Sequence, residues 1–583
     1  MDEDYDYLTE KYRNLELEDK VDKLKKENKT VNKRNFQLNK ENLNLKEENN
    51  ELFKKNQHFK STKAYKVWIK YATIKDKIFP NKDNKSPSNK KIEKSNLDFS
   101  NKPIKNLKDI KVAIIADQFT YDSYKYEFKA ILINPDDWQE KFRIYKPDLF
   151  FCESAWDGIA SENNEKPWRN KIFKRYDYKD ENRKELLKIL EYCKNNNIPT
   201  IFWNKEDPVH YRTEIWSYAD TASEFDYIFT SSEECIKRYK KDYNHPNVYC
   251  LMFAGQPKLF NPLNLSNETI EYPVFAGAYY GENHPQRTEK MNMIFDKVIE
   301  EWGDLIIFDR NYYKQRFDYP EKYQKYVRPA IKYEETALLY KKMKWGLNLN
   351  IVTNSNTMFA RRVFELSLTN TLILTNYSKA VERIFRDNVF FFDKMDKLPD
   401  FNGSYMEKRM NNLYNVLENH TYTNRFKQIL DTIGYPYSED VNDITIIFKS
   451  DSTDNIEKII DSYDKIDYPD KKLNIIILDK SANINNIKSE YPEIDDIQIE
   501  DNDLYDYIHN LNSEFIIILK DITDNDFISK GILHYKYLNK KISIAKGLDK
   551  FTLGQEDDIT NKIINKEVYT NLSQDIPIDV YYI

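Results

Sequence analysis

The sequence predicts an α/β protein in which two parallel, doubly wound sheets follow each other along the chain. Short β-branched runs that end in polar loops alternate with helical segments, which is the pattern of buried parallel strands. A heptad repeat precedes this region and predicts a parallel coiled coil, and a third α/β pattern follows it. The 583 residues suffice for several domains at about 150 residues each.

The N-terminal residues 1–60 predict an oligomerisation helix. An apolar residue recurs every seventh position, at Leu17, Leu24, Val31, Leu38, Leu45 and Leu52. Asparagine fills four of the five matching a positions between Val21 and Asn49, and facing asparagines favour a defined register and a small oligomer. We expect a parallel homodimer, with a solvated single helix as the alternative.

Residues 61–108 form a basic aromatic segment and a linker. The segment Ala64–Tyr71 alternates lysine with aromatic residues, which suits either peripheral contact with an anionic membrane surface or packing on the next domain. From residue 80 the chain is rich in Pro, Ser, Asn and Lys, as linkers are.

The region 109–435 is predicted to form two α/β halves, 109–265 and 266–435. Predicted strands of the first half are Lys111–Ala116, Asp148–Cys152, Pro199–Trp203 and Asp226–Thr230, with a helix over 181–196. Those of the second half are Val274–Gly281, Leu305–Arg310, Trp345–Asn350 and Thr371–Thr375. Ligands of such sheets bind at the carboxyl ends of the strands. Two halves with a polar crevice between them suit a nucleotide-sugar enzyme, a periplasmic-type binding protein or an epimerase.

The loop after Trp203 holds the candidate proton acceptors. It carries Glu206, Asp207 and His210, and transfer with inversion needs a group that takes the proton of an acceptor hydroxyl. His210 has the ordinary pKa best suited to this role. The alternative is that Glu206 and Asp207 form a rigid turn and that His210 is a core residue.

Composition excludes several classes of function. The 11 glycines are spaced so that neither Gly-rich nucleotide fingerprint can be written. The net charge of -6 gives no reason to expect nucleic acid. There is no apolar run of about 18 residues and no signal peptide, and the four cysteines form no C-x-x-C. We therefore expect reduced thiols in a cytoplasmic protein, at most held at the inner face of the membrane.

Four segments in order resemble the CgeB/YkvP-like bacterial glycosyltransferases, a GT-B family. They are Ile198–Tyr211, Phe225–Thr230, Phe275–Arg287 and Asn356–Glu365. The resemblance covers roughly 110–400. It implies twin Rossmann-like domains and transfer of a sugar from a nucleotide diphosphate donor, with no cofactor and no metal. The family's small-residue turn after the glutamate helix is here Leu368-Thr369-Asn370, and asparagine tolerates the left-handed backbone that such a turn needs.

The resemblance places donor binding in the second half. Guanidinium groups and helix N-termini suit a diphosphate whose negative charge grows as the sugar leaves. The candidate donor-binding residues are Gly277, Arg287, Arg310, Asn348, Ser355, Thr357, Arg361, Arg362 and Glu365. In related enzymes the glutamate accepts hydrogen bonds from ribose hydroxyls. The alternatives are an Arg361–Glu365 helix pair, and an Asp309–Arg310 pair.

Residues 440–583 resemble the start of a family 2, GT-A-type glycosyltransferase. Strands are predicted at Asp443–Phe448, Leu473–Asp479 and Phe515–Asp521, with a helix at Asn455–Tyr463. The metal-binding D-x-D of that family is replaced by Lys520-Asp521-Ile522-Thr523-Asp524, which spoils the paired carboxylates that hold a divalent cation. We expect a degenerate, metal-free domain.

The leading hypothesis is an oligomeric, metal-independent glycosyltransferase. Its expected partners are a nucleotide sugar and a cell-surface, spore-coat or protein-linked glycan or glycoprotein, and no nucleic acid. The alternative is a non-catalytic oligomeric scaffold of a glycan-assembly complex, which the decayed C-terminal region favours.

Overall fold

The computed structural model describes residues 99–583 except 101, 161–164, 266–269, 271, 315–317, 500–503, 520–525, 549 and 571–576. Residues 91–583 belong to one compact unit. The predicted coiled coil of residues 1–60, the segment Ala64–Tyr71 and the stretch Lys520–Asp524 lie outside the described residues. None of the described helices is long and apolar enough to span a bilayer.

The first half is built on a six-stranded, all-parallel sheet in the order β3-β2-β4-β6-β8-β9. The six strands of this sheet are β2 Lys111–Ile115, β3 Lys129–Leu132, β4 Leu149–Glu153, β6 Thr200–Asn204, β8 Tyr227–Thr230 and β9 Val248–Cys250. Three short strands of this half lie outside it, β1 Lys105–Asn106, β5 Lys174–Arg175 and β7 Trp216–Ser217. Its helices are α1 Gln118–Tyr124, α2 Trp138–Tyr145, α3 Lys184–Asn195, α4 Ala219–Ala222 and α5 Glu234–Tyr243. Strands β4, β6 and β8 are buried throughout, as their apolar runs predict.

The second half repeats this architecture with a parallel sheet in the order β12-β11-β10-β13-β14-β15. Its strands are β10 Val274–Gly277, β11 Ile306–Asp309, β12 Val327–Arg328, β13 Trp345–Asn348, β14 Leu372–Thr375 and β15 Phe390–Phe391. Its helices are α6 Pro285–Trp302, α7 Tyr333–Lys342, α8 Arg362–Leu368, α9 Lys379–Phe385, α10 Met406–Asn419 and α11 Tyr422–Ile433. The twin sheets are the GT-B arrangement that the sequence predicts.

Helix α11 belongs to the predicted second half by sequence but packs on the first. Thr421 and Asn424 close a capping box at its start, and Gly434 ends it with φ 73°, as caps of this kind do. Its apolar face, which includes Phe426, joins the first-half core beside Phe128 at a ring-centroid distance of 4.7 Å. The chain then pairs β16 Tyr437–Ser438 with β1.

The end of the predicted linker also belongs to the first half. Phe99 and Leu107 are buried in the same core as helix α11. A 3₁₀ helix over Leu107–Asp109 leads into β2. The two ends of the twin-sheet region therefore meet on one side of the first half.

The C-terminal region has a mixed eight-stranded sheet in the order β19-β18-β17-β20-β23-β21-β24-β22. Its strands are β17 Ile444–Ser450, β18 Lys471–Ile477, β19 Asp496–Ile499, β20 Phe515–Leu519, β21 Ser543–Ala545, β22 Leu553–Glu556, β23 Lys562–Asn565 and β24 Ile578–Tyr582. Its helices are α12 Ile456–Asp464, α13 Ile484–Glu490, α14 Leu504–His509, α15 Phe527–His534 and α16 Lys566–Thr570. The first four strands are parallel, in agreement with the predicted strand–helix–strand order.

Candidate active site

A cavity of about 1270 Å³ lies between the two halves and is lined from both. Residues that follow β2, β4 and β6 supply much of the first-half wall, and the end of β10 with the starts of α6 and α8 supplies the other. Parallel strands bring their carboxyl ends to one edge of each sheet, which is where ligands of α/β folds bind. The site is therefore where the sheet topology predicts it.

Three ionisable residues from neighbouring strand ends form a buried cluster in the first half, in which Glu153 and Lys205 are buried and Asp117 is partly exposed at the cavity. Glu153 ends β4, Asp117 follows β2 and Lys205 follows β6. Lys205 Nζ bonds Asp117 and lies 3.2 Å from Glu153, while the Asp117 N–H and the Thr120 hydroxyl also donate to Glu153. The strand order β2-β4-β6 is what assembles this cluster.

The cluster holds two carboxyls in opposite protonation states. Burial, and then the neighbouring Asp117, raise the pKa of Glu153 to about 8. Burial alone would raise the pKa of Asp117 as well, but Lys205 outweighs it and lowers that pKa to about 2. At neutral pH Glu153 is therefore neutral, and Asp117 and Lys205 form the ion pair.

Of the three candidate proton acceptors, Glu206 and His210 line the cavity. The His210 Nε2 and Glu206 Oε2 atoms are 3.8 Å apart. Burial lowers the pKa of His210 and raises that of Glu206, so the imidazole is neutral near pH 7 and can accept a proton. These two side chains are placed to work as a pair.

Asp207 is placed differently from its two neighbours. Its side chain is fully buried, and it accepts hydrogen bonds from Asn204 at 2.8 Å, from Thr230 at 2.6 Å and from Tyr239 at 3.2 Å. Burial raises its pKa to about 7. Asp207 does not line the cavity, and its contacts join the β6 loop to β8 and α5.

Three guanidinium groups face the cavity from the second half. Arg287 donates to the Ala278 carbonyl at 3.1 Å, Arg310 to the Tyr280 hydroxyl at 2.7 Å, and Arg362 to the Ala276 carbonyl. None of the three pairs with a carboxylate of the described residues; in particular Arg310 does not pair with Asp309. Burial, with Arg362 and Arg310 adding repulsion, lowers the pKa of Arg287 to about 10. The second half thus presents positive charge without a counter-ion.

The Arg361–Glu365 pair predicted as an alternative is present. Arg361 Nε lies 2.7 Å from Glu365 Oε1, which also accepts from the Tyr333 hydroxyl at 3.1 Å. Within the described part of the chain no group donates to Glu365 Oε2. Both residues line the cavity, so the ion pair leaves one carboxylate oxygen open to a ligand.

Gly277 lies where the backbone of β10 approaches the arginines. A Cβ atom at this position would lie 2.6 Å from Phe275 Cζ and 3.1 Å from Arg362 Nη2. The absence of a side chain therefore lets Arg362 reach the end of β10.

Three predicted donor-binding residues do not line the cavity. Asn348 is buried and donates to Asn350 at 3.2 Å and to Thr375 at 3.0 Å. Ser355 donates to Glu234 of the first half at 2.7 Å, and Thr357 donates to the Ser231 carbonyl at 2.9 Å. These two hydroxyls bind one half to the other.

The turn after α8 has the backbone that the sequence predicts. Asn370 adopts φ 57°, the left-handed region that asparagine tolerates. This confirms that the Leu368-Thr369-Asn370 turn can form without glycine.

Sequence reasoning missed the aromatic and charged wall of the first half. Asp117, Trp156 and Lys205 line the cavity but were not among the candidates. Asp117 and Glu153 each stand at the carboxyl end of a predicted strand, which is the signal that could have found them. Trp156 offers no such signal, since a lone tryptophan in a loop is as often a core residue.

Among the described residues no group of three His, Cys, Asp or Glu side chains is arranged to hold a metal ion. The first-half wall of the cavity has the candidate proton acceptors Glu206 and His210, and the second-half wall has the three guanidinium groups without a carboxylate partner. Such a site can hold an anion at its second-half end and accept a proton at its first-half end.

Comparisons with solved structures give distant likenesses. HepE of Anabaena in complex with UDP and glucose is 10% identical with a TM-score of 0.34, covering 55% of this chain and 91% of its own. The galactosyltransferase WaaB of the lipopolysaccharide outer core, without ligand, is 10% identical with a TM-score of 0.30, covering 52% and 78%. An α1,3-fucosyltransferase with GDP-fucose is 11% identical with a TM-score of 0.25, covering 58% and 92%. At TM-scores this low, these likenesses carry no conclusion about this chain.

A family model gives the more specific result. Among curated proteins nothing matches the sequence. Residues 289–431, about a quarter of the chain, match the model described as "Glycosyl transferase-like". This segment contains Arg361, Arg362 and Glu365 and runs on through α11. Over residues 289–431, which include Arg310 and Arg362 but not Arg287, the second half is thus similar to the family that this model describes.

Proposed function

We propose that the protein is a glycosyltransferase of the CgeB/YkvP-like kind, which moves a hexosyl group from a nucleoside diphosphate sugar to a glycan or glycoprotein acceptor. The bond between the anomeric carbon and the β-phosphate oxygen breaks, and its electron pair leaves with the diphosphate. The acceptor hydroxyl oxygen bonds to the anomeric carbon, and its proton passes to a base of the protein.

The observation that carries this proposal is the set of three unpaired guanidinium groups at the second-half end of the cavity. Arg287, Arg310 and Arg362 have no carboxylate partner among the described residues, whereas Lys205 on the opposite wall is paired with Asp117. Arg287 is buried, Arg362 is half-buried and Arg310 is exposed. For the first two, buried positive charge without a partner is costly, and a diphosphate supplies the missing negative charge. The arginines also stabilise the charge that grows as the sugar leaves.

In this proposal the transfer is metal-independent, since guanidinium groups supply the positive charge at the diphosphate. Glu365 Oε2 accepts from the ribose hydroxyls, and Arg361 fixes the orientation of that carboxylate through Oε1. His210 takes the proton of the acceptor hydroxyl in an inverting reaction, and Glu206 stabilises the imidazolium that forms.

Isothermal titration with UDP-, GDP-, ADP- and dTDP-sugars tests the donor site. We expect sugars of one nucleotide class to bind. Arg362→Gln should lower their affinity about 10- to 100-fold, because a hydrogen bond to a charged group contributes roughly 1.5–3 kcal/mol. Glu365→Gln should lower the affinity for nucleoside diphosphates that carry a ribose.

The matched control is Arg328→Gln. Arg328 is an exposed arginine of the same half that does not line the cavity, and it donates only to the carbonyls of Lys325 and Val327. We expect it to bind the nucleotide as the unmodified protein does. Failure of every nucleotide sugar to bind would contradict the proposal and favour the non-catalytic scaffold.

A further inference from the structure

The first-half end of the cavity carries a cluster of aromatic rings that the donor site does not use. Trp156 lines the cavity and is 38% exposed. It packs edge-to-face on three rings, Phe173 at 5.5 Å, Trp216 at 5.1 Å and Tyr218 at 5.4 Å between ring centroids. We call Trp156, Phe173, Trp216 and Tyr218 the aromatic platform.

The platform is held rigidly before any ligand arrives. Phe173 and Tyr218 are 3% and 0% exposed, so they serve as its support. Strands β5 and β7 pair antiparallel, with Arg175 opposite Trp216, which fixes the register of the two segments that carry Phe173, Trp216 and Tyr218. Trp156 lies in the loop after β4 and packs on these three rings. A preformed apolar surface of this kind binds a ligand with little loss of side-chain freedom.

The cations around the platform have partners, unlike those at the other end of the cavity. Arg175 Nε donates to Asp177 at 2.8 Å, and Arg169 lies 3.8 Å from Asp157, which also pairs with Lys166. The two ends of one cavity therefore differ in charge, with unpaired cations at the second-half end and compensated charge at the platform.

The platform lies beside the pair proposed to accept the proton. The His210 ring centroid is 5.3 Å from that of Trp156 and 5.5 Å from that of Trp216. His284 of the second half also lines the cavity, and its ring centroid is 5.3 Å from that of Tyr280, over which the Arg287 guanidinium lies at 4.9 Å. His210 therefore lies with the platform at the first-half end of the cavity, and His284 lies with the arginines at the other end.

We propose that the aromatic platform is the acceptor subsite and that it takes a neutral pyranose, seated with its C–H face on Trp156. This rests on the proposed function, since it names the acceptor class of the same site. The C–H bonds on one face of a pyranose carry partial positive charge, which the negative face of an indole attracts. Hydroxyls at the edge of that ring would then reach His210 and Glu206.

Saturation-transfer NMR tests this subsite directly. The probes are the methyl glycosides of glucose, galactose, mannose and N-acetylglucosamine, with methyl glucuronide and n-octyl β-glucoside beside them. We expect at least one neutral methyl glycoside to receive saturation, and chiefly at the ring protons of one face. Trp156→Leu should weaken binding roughly 2- to 10-fold, and Trp156→Phe less, because an aromatic contact contributes about 0.5–1.5 kcal/mol.

Trp302→Phe is the matched control. Trp302 packs against Trp345 and Phe401 in the second half and does not line the cavity, so its replacement should leave saccharide binding unchanged. Titration of each variant with the nucleotide sugar of the donor site runs in parallel. Trp156→Leu should keep donor affinity, which also shows that the variant is folded.

Several results would overturn the acceptor proposal while leaving the donor proposal intact. One is donor binding without saturation of any neutral glycoside. Others are saturation confined to the octyl chain, preference for the glucuronide, or equal saccharide binding by Trp156→Leu and the unmodified protein. If the unmodified protein binds no nucleotide sugar, that result would instead contradict the proposed function.

Discussion

Replacement of Glu153 by glutamine should change how stability depends on pH. Unfolded, this carboxyl titrates near its ordinary pKa of 4.5, and folded it titrates at about 8. Between these values the folded state keeps a proton that the unfolded state has lost, so stability falls as pH rises. The slope is about 1.4 kcal/mol per pH unit, which gives a loss of roughly 2–3 kcal/mol from pH 5 to pH 7.

Glutamine resembles the neutral carboxyl and fits its hydrogen bonds. Its carbonyl oxygen can accept from the Asp117 N–H and from Lys205, and its amide can donate to the Thr120 hydroxyl. Because the side chain no longer titrates, Glu153→Gln should lose this slope and gain stability over the unmodified protein as pH rises. The Asp117 contribution has the opposite sign, and it is lost as pH falls from 3.8 toward about 2, below the range tested.

Urea unfolding at pH 5, 6 and 7, followed by tryptophan fluorescence, measures the difference. Five of the tryptophans that report on it lie in the first half: Trp138, Trp156, Trp168, Trp203 and Trp216. Glu191→Gln, at an exposed carboxyl of α3, is the control and should follow the unmodified protein. A constant difference between Glu153→Gln and the unmodified protein at all three pH values would refute the reasoning.

Three further predictions concern the second half and its attachment. Gly277→Ala should displace the buried Phe275 ring or the Arg362 guanidinium and weaken nucleotide binding in calorimetry; unchanged affinity would contradict the crowding argument. Thr357→Val removes two hydrogen bonds between the halves, one donated to the Ser231 carbonyl and one accepted from the Glu233 N–H. It should cost about 1–3 kcal/mol and speed proteolysis between the halves, and an unaltered cleavage rate would count against these contacts. Phe426→Ala should cost about 3–5 kcal/mol in urea unfolding, because α11 packs into the first-half core; a loss below about 1 kcal/mol would show that the helix is not part of that core.

The local pattern of apolar and polar residues determined most of the fold. Runs such as Asp148–Cys152 and Thr371–Thr375 are largely apolar, so they predict buried parallel strands, and the structure has buried strands at both places. Because parallel strands end at one edge of a sheet, the sequence alone suffices to place the loop after β6 and the start of α8 at a site. Glu206 and His210 follow from this, whereas Arg361 and the neighbouring arginines follow from the resemblance to a GT-B family.

Tertiary structure alone decided which of those side chains reach the cavity. Asp207 stands between two cavity residues in sequence, yet it turns into the core because Thr230 and Tyr239 offer hydrogen bonds there. Ser355 and Thr357 meet the first half across more than a hundred residues.

The residues of the buried cluster and of the aromatic platform are likewise brought together only by the tertiary structure. Lys205 and Asp117 are 88 positions apart, and only the order of the strands brings them together. Trp156 follows β4 and Trp216 begins β7, and their rings, 60 positions apart in sequence, meet only in the folded chain. The period and polarity of a segment are local properties that a sequence displays, whereas the pairing of distant segments depends on the free energy of the whole packed chain.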